Sequence, residues 1–262
     1  MLRLIRGVDL VCEPARQRLV WGGVGRLSLE QIPVRLWITL EGPVPADEGF
    51  LVHVAQIDAA LRQNLKTQDV KISNGLGVLA WSRAVLENKF PEFNLLQIRL
   101  ELSDRLSVIW LRERQEMIQV SRKYEMAASH RLYNPNWNDK RNTEVYGKCS
   151  NRRGHGHNYV LAVTWRGKPD RNTGELTNLD EADKVVREQI IDRFDHKNLN
   201  DDTDEFKILI PTVENMAKVF WDLLAGRFGK AELVRVAVWE TKKTCAEYFG
   251  PSAGELRYSD SV

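Results

Sequence analysis

The sequence predicts an α+β protein made of two tandem domains with a common plan. Three observations point to it. The chain has 262 residues, long for one compact domain and comfortable for two. Its halves match each other weakly but in order. In each half, strands flank a pair of helices instead of alternating with them, the pattern of an α+β fold.

In the first half residues 32–42 read IPVRLWITLEG and Gly49 follows; in the second, residues 157–167 read HNYVLAVTWRG and Gly174 follows. The glycines are seven residues apart in both. Each segment reads as an alternating strand, a glycine-bearing hairpin turn and a second short strand. A helix comes next, with Val54, Ile57, Leu61 and Leu65 on one face in the first half and Leu179, Ala182, Val186 and Ile190 in the second. A second helix is expected over 74–90 (NGLGVLAWSRAVLENKF) and over 212–228 (TVENMAKVFWDLLAGRF). Apolar strands follow these, LLQIRLEL and LVRVAVWE. The shared order is strand, strand, helix, helix, strand, strand. Residues 112–117, RERQEM, contain no Gly or Pro, so the boundary falls there without a flexible linker. This gives domains over 1–115 and 116–262 and a rigid tandem pair.

Hydrophobic content of 43% with 28% charged residues argues against long disordered tracts. The net charge of +2 is a small difference between 38 basic and 36 acidic residues, so no global field marks a nucleic-acid or membrane binder. Cys12, Cys149 and Cys245 are too few and too scattered for a disulfide framework. Residues 1–10 carry Arg3, Arg6 and Asp9 and lack an apolar core of signal-peptide length, and no run elsewhere reaches membrane-span length. A cytoplasmic protein is expected.

Histidine is distributed unevenly. His53 lies in the first half, whereas His130, His155, His157 and His196 crowd into the second. His155 and His157 flank Gly156 and lead into the alternating run NYVLAV, so on a strand both imidazoles point to one face. His130 ends another expected strand, IQVSRKYEMAASH, and an antiparallel neighbour could bring it opposite the pair. Three imidazoles with an open fourth position describe a catalytic zinc site. A zinc-finger arrangement is disfavoured, because Cys149 has no second cysteine at ligand spacing.

Cys149 lies in GKCSNRRGHGH beside Lys148, Arg152 and Arg153, whose positive charge would lower its thiol pKa. Asp195 and His196 are adjacent in FDHKNLND. A carboxylate can orient and tune a neighbouring imidazole for acid–base work, but a turn is needed for both to face one site. Glu240 ends the strand LVRVAVWE, and Thr212 and Glu214 open the second helix. Thr212 also reads as a helix N-cap. A buried carboxylate such as Glu240 suits a guanidine-like edge with two N–H donors.

Taken in order, ASHRLY (128–133), GKCSNRRGHGHNY (147–159), FDHKNLN (194–200), PTVEN (211–215) and VWET (238–241) strongly resemble the 6-pyruvoyltetrahydropterin synthase family. That family includes the bacterial 6-carboxytetrahydropterin synthases of queuosine biosynthesis. The resemblance covers roughly residues 118–250. It implies a tunnelling fold, in which each domain supplies an antiparallel four-stranded sheet with two helices on one face and domains close edge to edge into a barrel. It also implies zinc held by His130, His155 and His157, and Cys149 as the catalytic thiol with Asp195 and His196 as partners. Glu240 becomes the pterin anchor, with Thr212 and Glu214 as accessory contacts. The implied substrate is 7,8-dihydroneopterin triphosphate, from which triphosphate is eliminated in a lyase reaction. In the pyruvoyl branch the side chain is rearranged internally; in the carboxy branch carbons leave as acetaldehyde. The Cys149–His155 interval and the DHKNLN motif resemble the pyruvoyl branch, and the product stays open between the two. A pterin-binding or scaffold protein without turnover is the alternative.

Aligning the halves puts Val24 where Cys149 stands, Glu30 and Ile32 at His155 and His157, and Leu102 at Glu240, with no counterpart of FDHKNLND. The first half is therefore expected to be a degenerate copy kept for packing, with one active site per chain. A homo-oligomer is expected, either a trimer imitating a hexamer or another closed ring.

Overall fold

The computed structural model describes residues 1–12, 32–67, 75–170 and 176–251. These form two compact units: the described residues of Met1–Ser121 with Arg166–Asn178, and those of Arg122–Trp165 with Leu179–Val262.

In the first unit the sheet order is β1 (Leu2–Cys12), β2 (Ile32–Gly42), β3 (Asn94–Ser103) and β4 (Leu106–Leu111). All three pairings are antiparallel. Along β2 the two-residue period sends Val34, Leu36, Ile38 and Leu40 into the core. Helices α1 (Val54–Thr67) and α2 (Gly75–Lys89) cover them with Ile57, Leu61, Val78 and Leu86, all buried. Val54, expected on the buried face of α1, is exposed, because it begins the helix; Ala60 is buried beside Leu61 instead. Leu65 lies outside the described side chains.

The expected short strand after Gly42 does not form. Pro43 and Pro45 remove two ladder donors, and Gly49 N–H, at φ +72°, closes a turn onto the Pro45 carbonyl at 3.0 Å. The hairpin partner of β2 is the preceding strand, β1, in full register from Leu2↔Gly42 to Cys12↔Ile32. Residues 168–170, with Pro169 among them, form no strand directly after Gly167; the rest of the expected hairpin, including the Gly174 position, lies outside the described residues.

In the second unit β5 (Ile118–His130) neighbours β6 (His155–Gly167), and the order continues through β8 (Glu232–Thr241) to β9 (Thr244–Tyr248). Between β5 and β6 lie α3 (Asp139–Tyr146) and a 3-10 turn, Gly147–Ser150. After β6 come α4 (Leu179–Val186), a π-helical turn (Arg187–Ile191), α5 (Asp192–Phe194), the two-residue β7 (Lys197–Asn198), α6 (Leu199–Asp202) and α7 (Val213–Leu224). Tyr159, Leu161, Val163 and Trp165 from β6, Met216, Phe220 and Leu224 from α7, and Ile190 and Phe194 are all buried, with the Phe194 and Phe220 rings 5.0 Å apart. Leu179, Ala182, Val186 and Ile190 are all buried. Helix α7 stops at Leu224, short of the expected Phe228, where Ala225 leaves helical dihedrals and Gly226 takes φ +75°. No described helix is long and apolar enough to cross a membrane.

Candidate active site

The site begins with the end of β5. His130 is fully buried, and its Nδ1 stands 2.8 Å from the Pro211 carbonyl. A carbonyl only accepts, so Nδ1 carries the proton and Nε2 is left with a bare lone pair. That Nε2 faces His155 Nε2 at 3.1 Å and Glu240 Oε1 at 3.3 Å. His157 Nε2 also lies 3.3 Å from Glu240 Oε1, yet it is buried without a hydrogen bond; the short separation is a contact, not a satisfied donor–acceptor pair. The four ligand atoms all lie within 4.8 Å of one another. Burial pushes the His130 and His157 imidazoles below their ordinary pKa, against the opposing pull of Glu240. Both are thus neutral near pH 7, the form that binds a metal.

The bare Nε2 lone pair of His130 and the Glu240 oxygen face each other with no hydrogen between them, and such a pair repels unless a cation lies between. Ligands held about 2.0–2.1 Å from a tetrahedral zinc stand about 3.3 Å apart. Three of the six separations, at 3.1 and 3.3 Å, are near that spacing and the rest lie within 4.8 Å, so these residues could close on such an ion.

Residues 131–132 fasten two further segments to this centre. On one side Leu132 N–H donates to the Cys149 carbonyl at 2.9 Å and Arg131 Nε to the Ser150 carbonyl at 2.8 Å. This pins the 3-10 turn that carries Cys149, whose side chain is half-buried. On the other side Asn200 clamps the Arg131 backbone, accepting its N–H at 2.7 Å and donating to its carbonyl at 3.1 Å. Gly154, at φ +65°, lies so close to the His130 carbonyl that a Cβ there would come within 2.7 Å of the oxygen.

Asp195 and His196 occupy the turn that their adjacency requires, and His196 is the one non-glycine with positive φ among the described residues, at 57°. The turn is docked on β5: His196 N–H donates to the Ala127 carbonyl, Ala127 N–H donates to Asp195 Oδ1 at 2.7 Å, and β7 pairs in parallel with Ala128 and Ser129. His196 Nδ1 stands 2.8 Å from Asp195 Oδ2, which makes Nδ1 the protonated nitrogen and leaves Nε2 free to take a proton. The Ala127 N–H, and after it His196, hold the Asp195 carboxyl below its usual pKa. His196 and His157 line the same open cleft of about 460 Å³, together with Asn158, Lys197 and Asn198.

Thr212 and Glu214 do not line that cleft. Thr212 Oγ1 accepts the Asn215 N–H at 3.3 Å as the N-cap of α7, and Glu214 is exposed in its first turn. Glu240, expected as a contact for substrate, stands within the imidazole group. Sequence reasoning missed Tyr159, which is fully buried with its hydroxyl 3.3 Å from His130 Nδ1. Burial raises its pKa, helped by Glu240 and Cys149. The signal was present: 155, 157 and 159 continue one two-residue period. The Pro211 carbonyl and the Asn200 clamp left no such pattern, since both are contacts across loops. Of the counterpart positions in the first half, Val24 and Glu30 lie outside the described residues, while Ile32 and Leu102 belong to β2 and β3. Among the described residues, the one group of this kind is His130, His155, His157 and Glu240.

Residues 119–251 match the family model described as 6-pyruvoyl tetrahydropterin synthase. The 6-pyruvoyl tetrahydrobiopterin synthase of Homo sapiens is 41% identical over 132 residues, covering 50% of this chain and 91% of its own. The 6-carboxy-5,6,7,8-tetrahydropterin synthase of Aquifex aeolicus is 29% identical over 167 residues, covering 50% of this chain and 96% of its own. Among solved structures, 6-pyruvoyl tetrahydropterin synthase of Caenorhabditis elegans superposes with a TM-score of 0.48 at 34% identity, over 51% of this chain and 96% of that one.

Proposed function

The chain belongs to the 6-pyruvoyl tetrahydropterin synthase family, and from that premise we propose that it is a zinc-dependent lyase acting on 7,8-dihydroneopterin triphosphate. The observation that carries the reading is the convergence of His130, His155, His157 and Glu240 beside a cleft shared by His157 and His196. Zinc held by the three imidazoles would polarise a side-chain hydroxyl of the substrate and favour its ionisation. The chain's own groups then have separate tasks. His196, oriented through Nδ1 by Asp195, accepts or returns a proton at Nε2, and the Cys149 thiol is proposed as the second proton-transfer group. Glu240 takes the N–H donors of the pterin ring. Thr212 and Glu214 are proposed as accessory pterin contacts; the Thr212 hydroxyl already accepts one hydrogen bond and keeps its own hydrogen to donate.

The interval from Cys149 to His155 favours the pyruvoyl product, and the Aquifex relative keeps the carboxy product as the second reading. We read residues 1–115 as a degenerate copy of the same tunnelling fold and 116–262 as the catalytic domain, a view supported by two strands, two helices and two strands in the first unit. Strands β1 and β9 end the strand order of their units, and an unpaired edge invites pairing with another chain. A closed homo-oligomeric ring follows from that reading.

The test is metal analysis of the purified protein together with mass spectrometry of products from dihydroneopterin triphosphate. Bound zinc and a tetrahydropterin product are expected, and the product mass separates the pyruvoyl from the carboxy compound. Pterin binding without product would favour a scaffold instead.

A further inference from the structure

Glu240 is drawn in two directions. As a pterin anchor its carboxylate should reach into the substrate pocket, yet Oε1 stands 3.3 Å from both His130 Nε2 and His157 Nε2. Neither contact is a hydrogen bond by the tautomer argument: His130 Nε2 has no proton to give, and His157 Nε2 is buried without a hydrogen-bond partner. A proton could relieve one of these contacts, whereas one cation relieves all of them. With that cation in place the donor set is three neutral imidazoles and one carboxylate, a common four-coordinate arrangement for zinc.

The backbone supplies the second observation. In the β8–β9 ladder Trp239 pairs with Cys245 and Thr241 with Thr244. Two steps along β8 therefore answer one along β9, and Glu240 is the extra residue of a bulge. A bulge re-aims its side chain and leaves the residue unpaired in the ladder. On the β9 side Glu240 thus has no cross-strand pair to break when its side chain changes direction.

We propose that Glu240 alternates between two engagements: with no substrate bound it closes the His130–His155–His157 centre as a fourth ligand, and an arriving pterin draws it away and opens that position. This rests on the pterin-synthase reading above and adds to it a substrate-gated opening of the metal. Closure in the absence of substrate would hold the ion firmly and keep water from a reactive position. The N–H donors of the pterin replace the cation as the partner of the carboxylate, so no buried charge is left unpaired.

The experiment uses the full chain loaded with cobalt(II), whose visible band reports ligand number, and measures the metal dissociation constant by chelator competition. Wild type is compared with Glu240→Gln, which keeps the shape and loses the charge, and with Glu240→Asp, which keeps the charge and loses reach. Both variants are expected to raise the dissociation constant by at least about 100-fold, because losing a mere outer-shell partner already costs about 10- to 100-fold and Glu240 is proposed as a direct ligand. Adding 7,8-dihydroneopterin, which lacks the triphosphate, should shift the wild-type band; in the variants the band starts displaced and stays there. Equal dissociation constants in all three proteins would overturn the proposal, as would a wild-type band unmoved by a pterin whose binding is seen in its own fluorescence. Either result leaves the enzyme reading standing. Wild type that takes up neither cobalt nor zinc would sink both.

Discussion

Gly154 shows how tightly a single residue sets the candidate centre. It adopts φ +65°, where an L side chain is strained, and its missing Cβ makes room for the His130 carbonyl. Gly154→Ala is expected to cost about 1–3 kcal/mol and to displace the His130 backbone. Thermal unfolding should show the loss, and chelator competition should show weaker metal retention than in wild type. A variant with unchanged metal affinity would mean that the 154–155 corner does not set the position of His130. At this scale the clustering of the imidazoles was legible because chemistry and period coincide: His155 and His157 stand two apart on a strand, and imidazole is a specific donor. Tyr159 continues the same period and was overlooked, because an aromatic residue at the start of an apolar run reads as core. Glu240 was legible as a carboxylate at a strand end. Its place among the imidazoles depends on a one-residue bulge that no spacing rule exposes.

The segment from Leu179 to Asp202 is the element that brings His196 to the cleft. Its helical face was readable from Leu179, Ala182, Val186 and Ile190, all of which are buried. The π-turn over Arg187–Ile191 and the left-handed His196 were not readable, since both answer to packing of Phe194 and docking on β5. The expected strand after Gly42 failed for a local reason, prolines that the alternation pattern outweighed, while the one after Gly167 falls largely outside the described residues. Docking of the turn depends on the ionised Asp195 carboxylate, whose pKa is depressed by the Ala127 N–H. A group with a depressed folded pKa stabilises fully above its unfolded pKa, about 3.9 for Asp, and that contribution is lost as pH falls through the folded value. Asp195→Asn keeps an acceptor for Ala127 but loses the charge. Wild type should therefore be more stable than the variant near pH 7, by about 1 kcal/mol or less for so exposed a group. The gap should close as pH falls from about 5 toward 2. Denaturant midpoints measured across that range check it; a gap that widened toward acid would mean that the turn is not held by the carboxylate.

At the scale of the molecule, reactive groups are segregated. The second half holds four of the five histidines, and among the described residues of the first unit no cluster of metal-binding side chains occurs. Length suited the chain to two compact units, and the strands β2, β3 and β8 and the helices α1, α2, α4 and α7 were legible from apolar periodicity. The assignment of Arg166–Asn178 to the first unit was not, because it depends on contacts far apart in the chain. One metal ion per chain is expected. That ion binds the folded chain and not the unfolded one, so it should stabilise the protein by mass action, by about 2.7 kcal/mol when free metal exceeds the dissociation constant 100-fold. Chelation should then lower the melting temperature by about 5–10 °C for a domain of this size. His155→Ala removes a ligand from the half-buried rim of the site while leaving the buried His130 and its Pro211 bond in place. That variant should melt near the chelated wild type, with or without chelator. Two ions per chain, or equal melting of wild type before and after chelation, would mean that the metal is not confined to this centre or does not support the fold around it.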